Sequence, residues 1–152
     1  MTLKVFRLQS INDRFQVICN IGKGSYGAVQ KCQDIVTREI VAVKRIIQPN
    51  RPNDFPTQRD GQPGQPNECP QTTTREILLL QKLDNENIVR LKFVVQTQEF
   101  DAGLYLVFEY CEYDLYALLY KKCLKKEYML SLMKQLLFAL HACSVERIVH
   151  RD

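Results

Sequence analysis

Apolar residues along this chain follow two rhythms, one of period two and one of period 3.6. Residues 15–21, 39–47, 88–97 and 104–110 are rich in β-branched and aromatic side chains and predict strands, and 28–32 continues in extended form between the first two. Strict alternation over 88–97 puts Val89, Leu91, Phe93 and Val95 on one side. No crossover helix separates the first three strands, so an antiparallel meander is the simplest arrangement. The rhythm changes at Thr72, where a helix begins with Ile77, Leu80 and Leu83 on one face. Beyond Asp114 it is helical again, with Leu115, Leu118 and Leu119 in a short helix and a longer one over 128–143. The order predicts an α+β fold: a five-stranded antiparallel sheet with one inserted helix, joined to the start of a helical unit.

Residues 49–70 interrupt both rhythms. They hold all six prolines among Asn, Gln, Asp and Gly, which marks an exposed insert. The six cysteines are far apart with no Cys-x-x-Cys, and only His141 and His150 accompany them, so free thiols are expected rather than a metal site or disulfide frame. The net charge of +4 is mild, and the run Lys121-Lys122-Cys123-Leu124-Lys125-Lys126 reads as a solvated helix end or loop. The longest purely aliphatic run is the short Ile77-Leu78-Leu79-Leu80, so no stretch is expected to span a bilayer, and MTLKVFRLQS lacks an apolar signal-peptide core. The expectation is a soluble, intracellular chain with no membrane or nucleic-acid partner.

Four segments carry candidate chemistry. Gly22-Lys23-Gly24-Ser25-Tyr26-Gly27-Ala28-Val29 is G-x-G-x-x-G-x-V, a spacing that lets backbone approach phosphates. A dinucleotide-binding turn shares the glycines but needs a helix directly after them, and Ala28 to Cys32 reads as strand. In Val41-Ala42-Val43-Lys44, Ala42 and Lys44 share a face. If Val29 projects to the same side, Val29 and Ala42 offer an apolar cover for a flat base, with Lys44 near its phosphates. An ordinary strand with a snorkelling lysine gives the same pattern. Glu76 lies on the apolar side of its helix. It either closes a capping box with Thr73 or pairs with Lys44, and spacing alone leaves both open. His150-Arg151-Asp152 follows a helix, a turn and Ile148-Val149.

Taken together and in this order, these motifs and the strand ending in Phe108-Glu109-Tyr110 resemble protein kinases. More narrowly, Thr72 to Leu80 resembles the cyclin-facing helix of cyclin-dependent kinases, and Glu109-Tyr110-Cys111-Glu112-Tyr113-Asp114-Leu115 the hinge of their transcription-associated members. The resemblance implies a kinase N-lobe over 15–110 with the insert 49–70, an N-terminal extension over 1–14, and a hinge with the start of a helical C-lobe over 111–152.

It also implies roles. Ile21, Gly22, Gly24 and Gly27 would cover ATP, with Val29 and Ala42 against adenine. Lys44 would bind phosphate and be held by Glu76. Phe108 would be the gatekeeper, the backbone of Glu109 and Cys111 would meet adenine, and Asp114 would lie near the ribose. Leu80, Leu91 and His150 match a regulatory spine, and Asp152 the carboxylate that accepts the substrate proton. Ser25 and Tyr26 stand where inhibitory phosphates occur, and the helix over 72–83 where a cyclin docks. ATP with Mg²⁺ and a protein substrate are the implied ligands, with location in nucleus or cytoplasm.

The departures matter equally. The sequence contains no Asp-Phe-Gly, so the metal ligands of the family pattern are absent. Leu130, Met133, Leu136, Leu137 and Leu140 would face a missing helical lobe. The expectation is a fragment, inactive alone, of a serine/threonine kinase. The alternative is a truncated, non-catalytic module that binds ATP or a cyclin.

Overall fold

The computed structural model describes residues 4–24, 27–46, 71–98, 103–121 and 124–150. The insert 49–70, Ser25, Tyr26 and Asp152, and the side chain of Thr73, lie outside the described residues. The strands are β1 (Lys4–Leu8), β2 (Phe15–Gly24), β3 (Gly27–Asp34), β4 (Ile40–Ile46), β5 (Leu91–Thr97) and β6 (Leu104–Glu109). The helices are α1 (Gln71–Lys82), α2 (Leu115–Tyr120) and α3 (Lys126–Val145).

The sheet has six strands in the order β1-β5-β6-β4-β3-β2, not five. The added strand comes from the expected N-terminal extension, and it pairs parallel to β5, so the sheet is mixed. Its short apolar pattern, Phe6 and Leu8, faces the sheet's second core. That core holds Ile11, Phe15, Cys32, Val41, Val43, Val95, Tyr105 and Val107, with Phe6, Leu8 and Phe93 packed against it. The first core lies on the other face, where Ile46, Leu91, Val94, Leu104 and Leu106 meet Ile77 and Leu80 of α1 and Phe108. With both faces covered, β6 is the most continuously buried strand.

One predicted face is corrected. A register shift between Leu91 and Phe93 breaks the alternation of β5. Leu91 and Val94 therefore join the α1 side, Phe93 and Val95 the opposite side, and Val89 stays exposed outside the strand. A bulge of one residue exchanges the two faces of everything beyond it.

Helix α3 also corrects an expectation. Its 20 residues are long and apolar enough, by length and composition, to cross a membrane. Its apolar character is hidden from unbroken aliphatic runs because Ser131, Lys134, Gln135 and His141 interrupt the apolar residues. None of the α3 side chains is buried, and Leu130, Met133, Leu136, Leu137 and Leu140 are exposed, as the sequence led one to expect.

The second core is closed by an ion pair. Arg14 donates from Nη2 to Asp34 Oδ2 at 2.9 Å and from Nε to the same oxygen at 3.2 Å. Its guanidinium lies 4.2 Å from the Phe6 ring centroid and 4.9 Å from that of Phe93, so one side chain ties β1, β5 and the β3–β4 turn together. Asp34 is fully buried and also accepts from the Val36 N–H at 2.9 Å. Burial by itself would raise its carboxyl. The Arg14 hydrogen bond and the Val36 and Thr37 N–H groups outweigh that and hold it below the ordinary range.

Breaking such a pair leaves a buried charge, so Asp34→Ala is expected to lower unfolding free energy by about 3 kcal/mol in urea denaturation at pH 7. Because the folded-state value of Asp34 is depressed, its contribution is present above the unfolded value, about 3.9, and is lost as pH falls through the folded value. The stability gap between the wild type and Asp34→Asn is expected to be constant from pH 5 to 7 and to narrow below about pH 4.

Candidate active site

Sheet register decides which side chains share the face under α1. Val29 pairs with Lys44, and Lys31 with Ala42, across β3–β4. Ala42 pairs with Phe108 and Lys44 with Leu106 across β4–β6. Cross-strand partners project to the same side, so Val29, Lys31, Ala42, Lys44 and Phe108 form one surface. The two faces left open by the sequence are the same face.

The glycine segment belongs to the strands. Gly22 pairs with Val29 and Gly24 with Gly27, so β2 and β3 make a hairpin that carries these glycines next to Val29 of that surface. Among the described residues, a Cβ built on Gly22 would meet only Val29, at 3.7 Å, which is ordinary contact. Packing against the described residues does not demand glycine there. Its bare backbone leaves room on the open side for something else. Ile21 is exposed beside it.

Lys44 Nζ donates to Glu76 Oε1 at 2.8 Å, joining β4 to α1 across 32 residues of sequence. Both side chains are partly buried, so this charge-assisted bond is less screened than a surface pair. Of the two readings of Glu76, the pairing with Lys44 is present. Leu80, one turn further along α1, packs in the cluster that contains Leu91. His150, the third residue expected with them, is exposed and outside that cluster.

The strand β6 ends in an exchange that sequence did not reveal. The Glu109 N–H donates to the Arg90 carbonyl at 3.1 Å, and the Arg90 N–H donates to Glu109 Oε1 at 2.7 Å. Beyond it the chain leaves the sheet, and among the described residues no backbone hydrogen bond engages Cys111. Asp114 caps α2, its Oδ1 accepting from the Ala117 N–H at 2.6 Å. An Asp directly before an apolar helical run carried that signal, although the sequence reading gave Asp114 only a ligand role.

The approach to His150 is set by the end of α3. The Arg147 N–H donates to the Ser144 carbonyl at 3.0 Å and the Ile148 N–H to the Cys143 carbonyl at 2.8 Å, with Arg147 at φ 57°. This pair of bonds with a left-handed residue after the cap is a Schellman motif, which turns the chain sharply off the helix. Asp152 follows beyond the described residues.

A model of the protein kinase domain matches residues 15–152. The chain belongs to the protein kinase family. It is 34% identical over 155 residues to cyclin-dependent kinase C-1 of Arabidopsis thaliana, covering 92% of this chain and 28% of that protein. It is 36% identical over 152 residues to cyclin-dependent kinase C-3 of Oryza sativa subsp. japonica, covering 92% and 42%. It is 34% identical over 152 residues to human cyclin-dependent kinase-like 5, covering 99% and 14%. The chain therefore spans less than half the length of each of these relatives.

Among the described residues of this kinase chain no group of His, Cys, Asp and Glu is arranged to hold a metal ion. Its thiols differ sharply in setting. Cys111 and Cys19 are exposed, whereas Cys32 is buried in the second core, where burial pushes its thiol up to about 11. A thiol so placed is almost wholly protonated and shielded. On treatment with iodoacetamide at pH 8, peptide mass spectrometry is expected to find Cys111 and Cys19 alkylated within minutes and Cys32 intact. Cys32 should label only after denaturant is added.

Proposed function

We propose that this chain is the ATP-binding part of a serine/threonine protein kinase of the cyclin-dependent type. The observation that carries this reading is the Lys44–Glu76 ion pair on the strand next to the glycine hairpin. Glu76 orients an ammonium toward the open side of the surface, where phosphate oxygens would bind. Val29 and Ala42 give the apolar cover for adenine, Phe108 the wall behind it, and the uncommitted backbone of Cys111 the hydrogen-bonding edge. Glu109 contributes backbone to the same edge, and Asp114 lies toward the ribose while capping α2. Gly22, Gly24 and Gly27 cover the phosphates, with Ile21 at the outer margin.

In the transfer reaction a serine or threonine oxygen forms a bond to the γ-phosphorus as the bond to the β-phosphate oxygen breaks. Asp152 accepts the hydroxyl proton, and ADP leaves. The chain's own part is to hold and neutralise: Lys44 on the α- and β-phosphates, Glu76 on Lys44, backbone N–H groups over the phosphates. Mg²⁺, when bound in the complete protein, would neutralise charge on the phosphates. Its family ligands are not among these 152 residues. Residues 1–152 by themselves therefore bind nucleotide without transferring phosphate.

Leu78 and Leu79 are 54% and 41% exposed on the side of α1 away from the sheet, which supports a cyclin as the partner of that helix. The kinase-domain match includes α3, which favours a core helix of a helical lobe over a membrane span. Location in nucleus or cytoplasm belongs to the same reading.

Titration with a fluorescent ATP analogue tests this. A charged hydrogen bond of this kind is worth a factor of about ten in Kd, so Lys44→Met and Glu76→Gln are each expected to weaken binding by about tenfold. Gly22→Ala should leave thermal stability close to that of wild type, within about 0.5 kcal/mol, yet weaken binding by a similar factor. Failure of wild type to bind, or equal binding by all three variants, rejects the reading. Radiolabelled ATP with a protein substrate is expected to show no transfer by residues 1–152. Transfer that disappears in Asp152→Ala would show instead that these residues suffice.

A further inference from the structure

Lys31 has no part in the assignments above, yet it shares their surface. It projects from β3 beside Val29, opposite Ala42, at the end of the sheet where β6 runs out into the segment 110–113. Its Nζ lies 4.2 Å from the centroid of the Tyr110 ring and 3.6 Å from Glu112 Oε2. Tyr110 and Glu112 flank Cys111, whose backbone is the edge proposed to meet adenine. One ammonium thus connects the apolar cover of the cleft to both neighbours of its hydrogen-bonding edge. A simple surface pair would behave differently. The Lys31 side chain is 21% exposed against 62% for Glu112, so the aromatic contact is the more sheltered of the two and the ion pair the more easily screened. Tyr110 first, and the Glu112 charge with it, outweigh the lowering by burial and raise the lysine above its ordinary range, in the sense expected if both partners hold its charged form.

We propose that Lys31 is a positioning residue that straps the β3–β4 roof of the cleft to the segment around Cys111. It fixes the gap into which a flat base slides, and so governs nucleotide affinity and release rather than phosphate transfer. The proposal rests on the ATP-binding reading of the same cleft.

Two measurements on residues 1–152 separate the failure of this proposal from failure of that reading. The first needs no ligand: hydrogen–deuterium exchange of the peptide covering 109–114 in wild type, Lys31→Met and Lys31→Arg. Loss of one aromatic contact and one ion pair is expected to speed exchange there by about fivefold in Lys31→Met, with the thermal midpoint unchanged. Lys31→Arg, which keeps charge and ring contact, should stay within about twofold of wild type. The second is stopped-flow release of the fluorescent ATP analogue. Lys31→Met is expected to release it about fivefold faster. Glu112→Gln should show a smaller change that vanishes at high salt. Unchanged exchange in Lys31→Met overturns the strap. Wild type that binds nucleotide and Lys31→Met that releases it at the same rate overturns the positioning role alone. Wild type that binds no nucleotide overturns the ATP reading, and this proposal with it.

Discussion

Strand β4 is paired on both sides over residues 41–44, with β3 and with β6, and its register fixes what each face of the sheet can do. With Lys44 opposite Val29 and Leu106, the even-numbered residues 42, 44 and 46 look toward α1, and Val41 and Val43 fill the second core. A slip of one residue would bury the lysine among Phe15 and Val107 and place two valines under the glycines. The cost of a lone ammonium in that core is large enough to exclude the alternative. The charged site and the apolar core are thus specified by one pairing, and Glu76 needs only to arrive on the correct side of α1.

The second core explains why the sheet reaches beyond the part that carries the site. Arg14 closes it by resting between Phe6 and Phe93 while its guanidinium bonds Asp34. Asp34 in turn organises the β3–β4 turn, its carbonyl accepting from the Arg38 N–H at 2.7 Å and its N–H donating to Glu39. That turn sets the start of β4 and therefore its register. A buried pair at one end of the sheet supports the placement of Lys44 at the other.

Much of this was legible in the sequence because it is local. Five strands, the antiparallel meander and three helices follow from periodicity within single segments, and the glycine spacing and Lys44 stand on those segments. What was hidden depends on residues far apart. The two readings of Glu76 could not be separated while an insert lay between it and Lys44. The pair Arg14–Asp34 has no local pattern, and the bulge at Leu91–Phe93 is a property of two strands, so alternation in one of them misplaced Phe93 and Val95. The strand β1 carries only Phe6 and Leu8 as signal, too short to be recognised without its partner. Helix α3 was legible as a helix but not as a span-length apolar one, since its hydropathy is spread over the whole length.

The parallel pairing of β1 with β5 has a consequence in time. Each residue of β1 lies 89 positions before its partner, as Lys4 before Phe93. At roughly 5–20 residues per second of synthesis, the N-terminal strand emerges about 4 to 18 s before the strand that receives it. During that interval Phe6 and Leu8 have no sheet edge to cover, while β2, β3 and β4 can already pair as neighbours in sequence. Contacts of such long separation form late, so β1, made well before its partner, is among the last strands to be placed. The aromatic clamp around Arg14 then closes over a meander that is already built, and β1 serves as its final fastening.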